Sequence, residues 1–413
     1  MSVTDTAWIK PASIRSGERD RIASLALAAL LIAFTLSTLD GGEAASQVLS
    51  AVLLAGTAVY LVLPPRVELT LKVPAVCLGS LVMYVVVQTL LLPQKATYDA
   101  WSGVLFWLTA AATTFLSTQL FKDPRRAALF RRIFVLFGSV ACVLELLEQA
   151  SRTSAYFWLI PSKYPAVYGS FAYWNNFAEF VEILLPVTLW MGFSPRRSNM
   201  TYLLLAAVQI GAVAGSGSRA GAALVIAELV ASLLLLFLKN RNPPFLYAAA
   251  TTVVLTVVFV YSAGVSEVMQ KLHQRDQLSV RRDINASSLE MIAQRPLTGW
   301  GLNSYVPVYP RFARYDAGTV VNRAHNDWLQ WTAEGGVLFT GTMLLVVLWS
   351  VRPALQSVWG IGLLAVCLHA AVDYPFARLG VCGWYFALIG MLAVWRPMEG
   401  PRQRAGASGR EAS

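Results

Sequence analysis

Charge is the first shortage. Only 14% of the 413 residues are charged, whereas soluble domains carry about 25%, and the gap excludes an ordinary soluble globular chain. Cysteine is scarce too. Four scattered residues make neither a disulfide framework nor a zinc site. The three histidines, His273, His325 and His369, form no cluster with Cys or Asp at metal-ligand spacing. There is no phosphate-binding loop, no glycine-rich dinucleotide fingerprint after a strand and no G-x-S-x-G elbow. Nor is there an aspartate pair of the kind that holds the metal of nucleotide-sugar transferases. Any chemistry is therefore expected to need no metal and no cofactor, and to use arginines and one histidine.

What the chain has instead is apolar length. Apolar residues make up 56% and the mean hydropathy is +0.55, and a membrane span needs about 20 such residues in a row. Hydrophobic segments lie at 22–39, 47–63, 73–92, 100–121, 129–147, 171–193, 200–214, 219–238, 245–263, 336–351, 354–372 and 379–396. The expected fold is an all-α polytopic membrane protein of about twelve spans. The basic arm before the first span holds Lys10, Arg15, Arg19 and Arg21, but no small-residue cleavage site follows Leu39, so that span reads as an anchor.

The net charge of +10 could suggest nucleic acid, but the positions of the basic residues argue otherwise. With the N-terminus in the cytoplasm, twenty of the 33 Lys and Arg fall on cytoplasmic segments. Five sit in short outer loops and eight in one long outer loop. This is a positive-inside pattern, which puts both termini in the cytoplasm and leaves the excess charge with an orienting role. The expected organisation is a cytoplasmic arm 1–21, spans over 22–263, a large periplasmic loop 264–335, spans over 336–396 and a cytoplasmic tail 397–413.

The long loop is too rich in Trp, Tyr, Arg and apolar positions to be a plain linker. Ile284, Leu289, Met291 and Ile292 are spaced as on an amphipathic helix over 281–295. Pro296, Gly299 and Gly301 then break it, and a second helical stretch is expected from Asn326 to Glu334. His325 precedes that stretch. With an ordinary pKa near 6.5, an imidazole suits general-base work on a hydroxyl, although a solvated loop histidine beside a helix cap explains the same residues. Arg219 opens a span after Gly215-Ser216-Gly217-Ser218. It can complete an anion site with the free amides of that helix start, or snorkel to the interface beside small packing residues. Arg281 and Arg282 begin the amphipathic stretch. Glu179, Glu182 and Glu228 lie within spans, where carboxylates are costly and suspect. His369 and Asp373 are four apart and read as a second-shell pair or a structural clasp.

Four blocks then fall in order. They are Gly169-Ser170-Phe171-Ala172-Tyr173-Trp174-Asn175-Asn176-Phe177-Ala178-Glu179, Gly217-Ser218-Arg219-Ala220-Gly221, Ser279-Val280-Arg281 running to Arg295-Pro296-Leu297-Thr298-Gly299-Trp300-Gly301, and His325-Asn326-Asp327-Trp328-Leu329-Gln330 running to Glu334-Gly335-Gly336. His369 to Pro375 closes the series. In these blocks, which span roughly 169–375, the chain resembles the O-antigen ligase and polymerase superfamily of bacterial polytopic membrane proteins. The resemblance implies transfer of a glycan from an undecaprenyl-diphosphate carrier to a lipid or saccharide acceptor at the outer face of the inner membrane. His325 would be the base, with Arg219 and Arg281 on the diphosphate. Ser218, Asn176, Arg282, Arg323, Asn326, Gln330 and Glu334 would contact substrate. No metal, no cofactor and no nucleic-acid partner is implied.

Overall fold

The computed structural model describes residues 12–39, 43–62, 71–92, 97–162, 166–193, 198–239, 243–263, 276–314 and 320–396. The arm 1–11, His273 and the tail 397–413 lie outside the described residues. The apolar segments are helices. In chain order they are α1 (Ala12–Leu39), α2 (Glu43–Val62), α3 (Val73–Leu91), α4 (Thr97–Leu120) and α5 (Pro124–Ser151). A two-stranded ribbon follows, β1 (Ala155–Tyr156) against β2 (Ile160–Pro161). Next come α6 (Trp174–Gly192), α7 (Met200–Ser216), α8 (Arg219–Lys239) and α9 (Pro243–Ala263). Seven helices of the described chain are long and apolar enough to cross a membrane, and 50–62, 200–216 and 379–394 are shorter apolar helices.

The bundle is built round two helices that show almost no surface, α6 and α14 (Leu379–Val394). Trp384 of α14 stacks on Phe134 at 4.7 Å and tilts against Phe34 at 5.3 Å, so one indole joins α1, α5 and α14. The outer helices turn apolar side chains outward, among them Val59, Leu90, Leu136, Val230 and Val258. In water such a surface would aggregate; facing lipid it is stable.

The segment 276–335 folds on one end of this bundle. It contains α10 (Asp276–Gln294), the short α11 (Tyr305–Val308) and a 3-10 turn at Tyr309–Arg311. Ile284, Met291, Tyr305, Val308, Tyr309, Ala324 and Ala333 form a small core of its own. Ile284 and Met291 face that core as their spacing predicts, but Leu289 is exposed, because Ser288 takes the inward position by bonding the Tyr305 hydroxyl at 2.8 Å.

Of the expectations about the last spans, one holds and one needs correction. The stretch 326–334 and the span 336–351 are two helical pieces that meet at a kink at Gly336, where the Gly-Gly step predicts a break; together they make up α12 (Asp327–Ser357). It continues through Pro353, with Ser350 and Ala354 fully buried; a proline removes one ladder bond, and packing carries the helix past it. The segment 354–372 is not a full span. Its helix α13 (Ile361–His369) has nine residues, about 14 Å long, roughly half the hydrocarbon thickness. It starts tight against α6, where a Cβ at Gly362 would lie 2.1 Å from the Glu182 carbonyl, and ends there too, with His369 Nδ1 2.6 Å from Glu182.

The break in α12 is fixed from both sides. Gly336 has φ 69° and ψ −177°, a region open in practice to glycine alone, and a Cβ there would meet the Leu297 carbonyl at 2.1 Å. The carbonyls released by the break find donors on α3. Gln88 donates to Glu334 O at 2.8 Å, and Tyr84 donates to Gly335 O at 2.8 Å. Gly336→Ala is therefore expected to destabilise by at least about 1–3 kcal/mol. Gly341→Ala in the same helix meets nothing within 4 Å and is expected to be neutral or stabilising. Thermal unfolding of both purified variants in detergent checks the contrast, and equal melting temperatures would refute it.

Candidate active site

The helix ends that meet beneath α10 carry the polar residues. Helix α7 stops because Gly217 takes a left-handed turn with φ 73°, and Ser218 then starts α8. Its Oγ accepts from Gly221 N at 3.2 Å and donates to Asn175 Oδ1 at 2.6 Å. The serine thus caps one helix while holding the first turn of α6. Arg219, the next residue, is half-buried at the head of α8, where the helix dipole and free amides favour an anion.

Asn175 passes the network on. Its Nδ2 donates to Asp373 Oδ2, in the turn that follows α13. Asp373 is fully buried and collects several donors. Tyr374 N bonds Oδ1 at 3.1 Å, the Arg281 guanidinium lies 3.5 Å from Oδ2, and His325 Nδ1 lies 3.5 Å from Oδ1. Burial alone would push this carboxyl up; the adjacent His325 imidazole, the Arg281 charge and the Asn175 hydrogen bond outweigh it and hold the acid below the usual aspartate range. Asp373 is therefore a fixed negative charge between an arginine and a histidine.

His325 itself is strained. Its φ of 50° is left-handed, a conformation that costs about 1–3 kcal/mol and collects at functional sites. The neighbours enforce it. Ala324 N donates to Gln330 Oε1 at 3.1 Å, and Asn326 caps α12 by accepting from Leu329 N at 3.1 Å. The imidazole packs edge-on against Tyr374 at 5.1 Å. Because Nδ1 is buried on the Asp373 side, the exposed part of the ring is the remainder, which carries Nε2. A carboxylate on one nitrogen with the other open is how an imidazole is set up as a proton acceptor.

Arg281 is fastened as well. It donates to Val372 O at 2.6 Å and to the Tyr173 hydroxyl at 3.3 Å. Tyr173 and Tyr374 lie parallel, 6.1 Å apart, and burial together with the Asp373 charge raises both phenols, so they stay protonated donors. Arg281, not Arg282, turns inward; Arg282 is exposed.

The other expected contacts divide. Asn176 is fully buried, with Nδ2 on Glu179 at 2.8 Å. Glu334 accepts from Asn303 N at 3.0 Å and Tyr305 N at 3.2 Å, so it holds the loop in place. Arg323, Gln330, Glu334 and Tyr374 line a cavity of about 500 Å³ that also reaches Asp99 and Asn303. The structure thus gathers His325, Arg281 and, through Asn175 and Asp373, Ser218 beside Arg219. It adds Asp373, Asn175, Tyr173 and Tyr374, which spacing did not single out for these roles. His369 and Asp373 stay close, with Asp373 N donating to His369 O at 3.0 Å, but each side chain also has a partner elsewhere. The helix ends at His369, so Asp373 lies in the turn beyond it, and His369 Nδ1 bonds Glu182 at 2.6 Å.

Residues 204–346 match the family model described as O-antigen ligase. Over that stretch, about a third of the 413 residues, the chain is similar to the O-antigen ligase family. The match runs from α7 into α12 and takes in Ser218, Arg219, Arg281 and His325, while Asn175 and Asp373 lie outside it and join the site through geometry. Comparison with curated proteins gives no match. The helices that accompany the match are those of a multi-pass membrane protein.

If Ser218, Asn175 and Asp373 act as one network, Ser218→Ala and Asn175→Ala should not be additive. Their coupling is expected at about 0.5–3 kcal/mol. Thermal unfolding of both single variants and the double variant measures it; additive losses would separate the two residues.

Proposed function

We propose that this protein moves a glycan from a polyprenyl (undecaprenyl) diphosphate carrier to an acceptor hydroxyl, such as one on lipid A-core. It would work in the bacterial inner membrane, with both termini cytoplasmic and the site facing the periplasm. One observation carries the reading: a buried Asp373 holds a strained, part-exposed His325 on one oxygen and Arg281 on the other.

The chemistry follows from that geometry. His325 Nε2 takes the proton of the acceptor hydroxyl, and Asp373 on Nδ1 steadies the imidazolium that forms. The acceptor oxygen bonds to the anomeric carbon from the face opposite the leaving group, so the configuration inverts. The bond from that carbon to the diphosphate oxygen breaks, and its electron pair leaves with the diphosphate. Arg219 and Arg281 offset the charge that develops there. Two guanidiniums at a diphosphate supply fixed, charge-assisted donors, and preorganised charge of this kind is the largest catalytic contribution in many enzymes. The cavity lined by Arg323 and Tyr374 would take the saccharide units; His325, Arg219 and Arg281 do not line it, and Tyr374, which packs on His325, joins the two places.

Labelled polyprenyl-diphosphate glycan presented with lipid A-core, a second donor molecule or a peptide distinguishes ligation, polymerisation and protein glycosylation. His325→Ala is expected to lose transfer by about 10²–10⁴-fold. Arg219→Ala and Arg281→Ala are each expected to lose about 10²–10³-fold. Absence of transfer to every acceptor, or full activity in His325→Ala, would favour a non-enzymatic carrier of lipid-linked saccharide instead.

A further inference from the structure

Behind His325, on the bundle side of Asp373, lies a second group of side chains that the transfer reaction does not use. Glu179 and Glu182 stand one turn apart on α6, and His369 ends α13; all three are fully buried. The close seat of Gly362 on the Glu182 carbonyl brings α13 near enough to α6 for His369 to reach in. One ligand atom each from Glu179, His369 and Asp373 lies within 4.8 Å of the others, so small side-chain movements let a single ion touch all three.

The free valences point the same way. Glu182 Oε1 sits 2.6 Å from His369 Nδ1, and Nε2 has no hydrogen-bond partner among the described residues. Asn176 donates to Glu179 Oε2 at 2.8 Å, and Glu179 Oε1 is left without a partner among the described residues. Asn175 holds Asp373 from the side. Each of the three side chains is thus steadied by a neighbour, and on His369 and Glu179 one bare atom remains. This is the pattern of a metal site, in which a carboxylate on one imidazole nitrogen fixes the tautomer and turns the other nitrogen to the ion. Unpaired buried polar atoms are otherwise costly, and carboxylates inside a membrane bundle more so.

We propose that Glu179, His369 and Asp373 bind one divalent transition-metal cation. One imidazole and two carboxylates suit zinc best, with manganese the next choice. The ion ties α6 to the end of the half-length helix α13 and to the turn carrying Asp373. Its place is structural, behind the reacting groups, and no step of glycan transfer passes through it. The ion shares Asp373 with the His325–Arg281 arrangement, but metal content and transfer are read separately, so failure of one is distinguishable from failure of the other. Being fully enclosed, the ion is expected to enter during folding and to resist chelators afterwards.

The test is elemental analysis of the full chain, purified in detergent without a metal-affinity step from cells grown with added zinc and manganese. One ion per chain is expected in the wild type. His369→Asn and Glu179→Gln should each retain roughly tenfold less, whereas Glu228→Gln, a buried acid of α8 outside the group, should retain it all. X-ray absorption of the bound metal should give one imidazole nitrogen and carboxylate oxygens at about 2.0–2.2 Å. Wild-type protein with no stoichiometric metal would overturn the proposal and leave a proton as the occupant. Equal metal in wild type and a monodisperse His369→Asn variant would overturn it too.

Discussion

A carboxylate removed from water must be met by donors or opposite charge, and Asp373 meets that demand with most of what surrounds it. Tyr374 N, Asn175, Arg281 and His325 all converge on its two oxygens. Each donor belongs to a different part of the chain: the turn itself, α6, α10 and the approach to α12. A single buried acid therefore registers four elements against one another. The histidine and arginine it holds are the two groups whose separation matters for chemistry. Their geometry is set by satisfying one charge, which is cheaper than fixing two mobile side chains independently.

The helices supply the rest by where they stop. Gly217 ends α7, Gly336 turns α12 and His369 closes the half-length α13. Each stop leaves backbone groups that need partners, and side chains from other helices provide them, as Gln88 and Tyr84 of α3 do for the break in α12. In a bilayer such irregular backbone survives only when protein covers it, and here it is covered by α3 and by the folded segment on the bundle end. The strain at His325 is held the same way, by Gln330 and the Asn326 cap. The O-antigen ligase match over 204–346 spans the strained loop and both arginines, but not the acid that orders them.

Much of this was legible in the sequence, for physical reasons. The first nine apolar segments follow from apolar length alone, and each is a helix, the first starting ten residues before its expected bound. Arg219 after Gly-Ser-Gly-Ser and His325 before an Asn cap follow from local chemistry and Arg281 from the resemblance; the structure brings His325 and Arg281 to Asp373. Long-range satisfaction was not legible. Asp373 read as a partner of His369 because four residues separate them, and the two do stay close, but spacing did not show that Arg281, His325 and Asn175 also gather on Asp373. The break at Gly336 was legible in the Gly-Gly step, but not its partners, which are Gln88 and Tyr84 of α3 and the backbone of Pro296, Trp300 and Gly301. The buried atoms of Glu179 and His369 were invisible for the same reason: spacing shows which residues share a helix, not which atoms are left unpartnered between helices.

The account turns on the charge of Asp373, and Asp373→Asn removes that charge while keeping the shape of the side chain. The most direct measurement is the single-turnover rate of glycan transfer from polyprenyl diphosphate by this variant, in lipid, with folding checked by its melting temperature. The account predicts a folded protein whose rate falls by at least about 10²-fold. A folded variant transferring at the wild-type rate would contradict it.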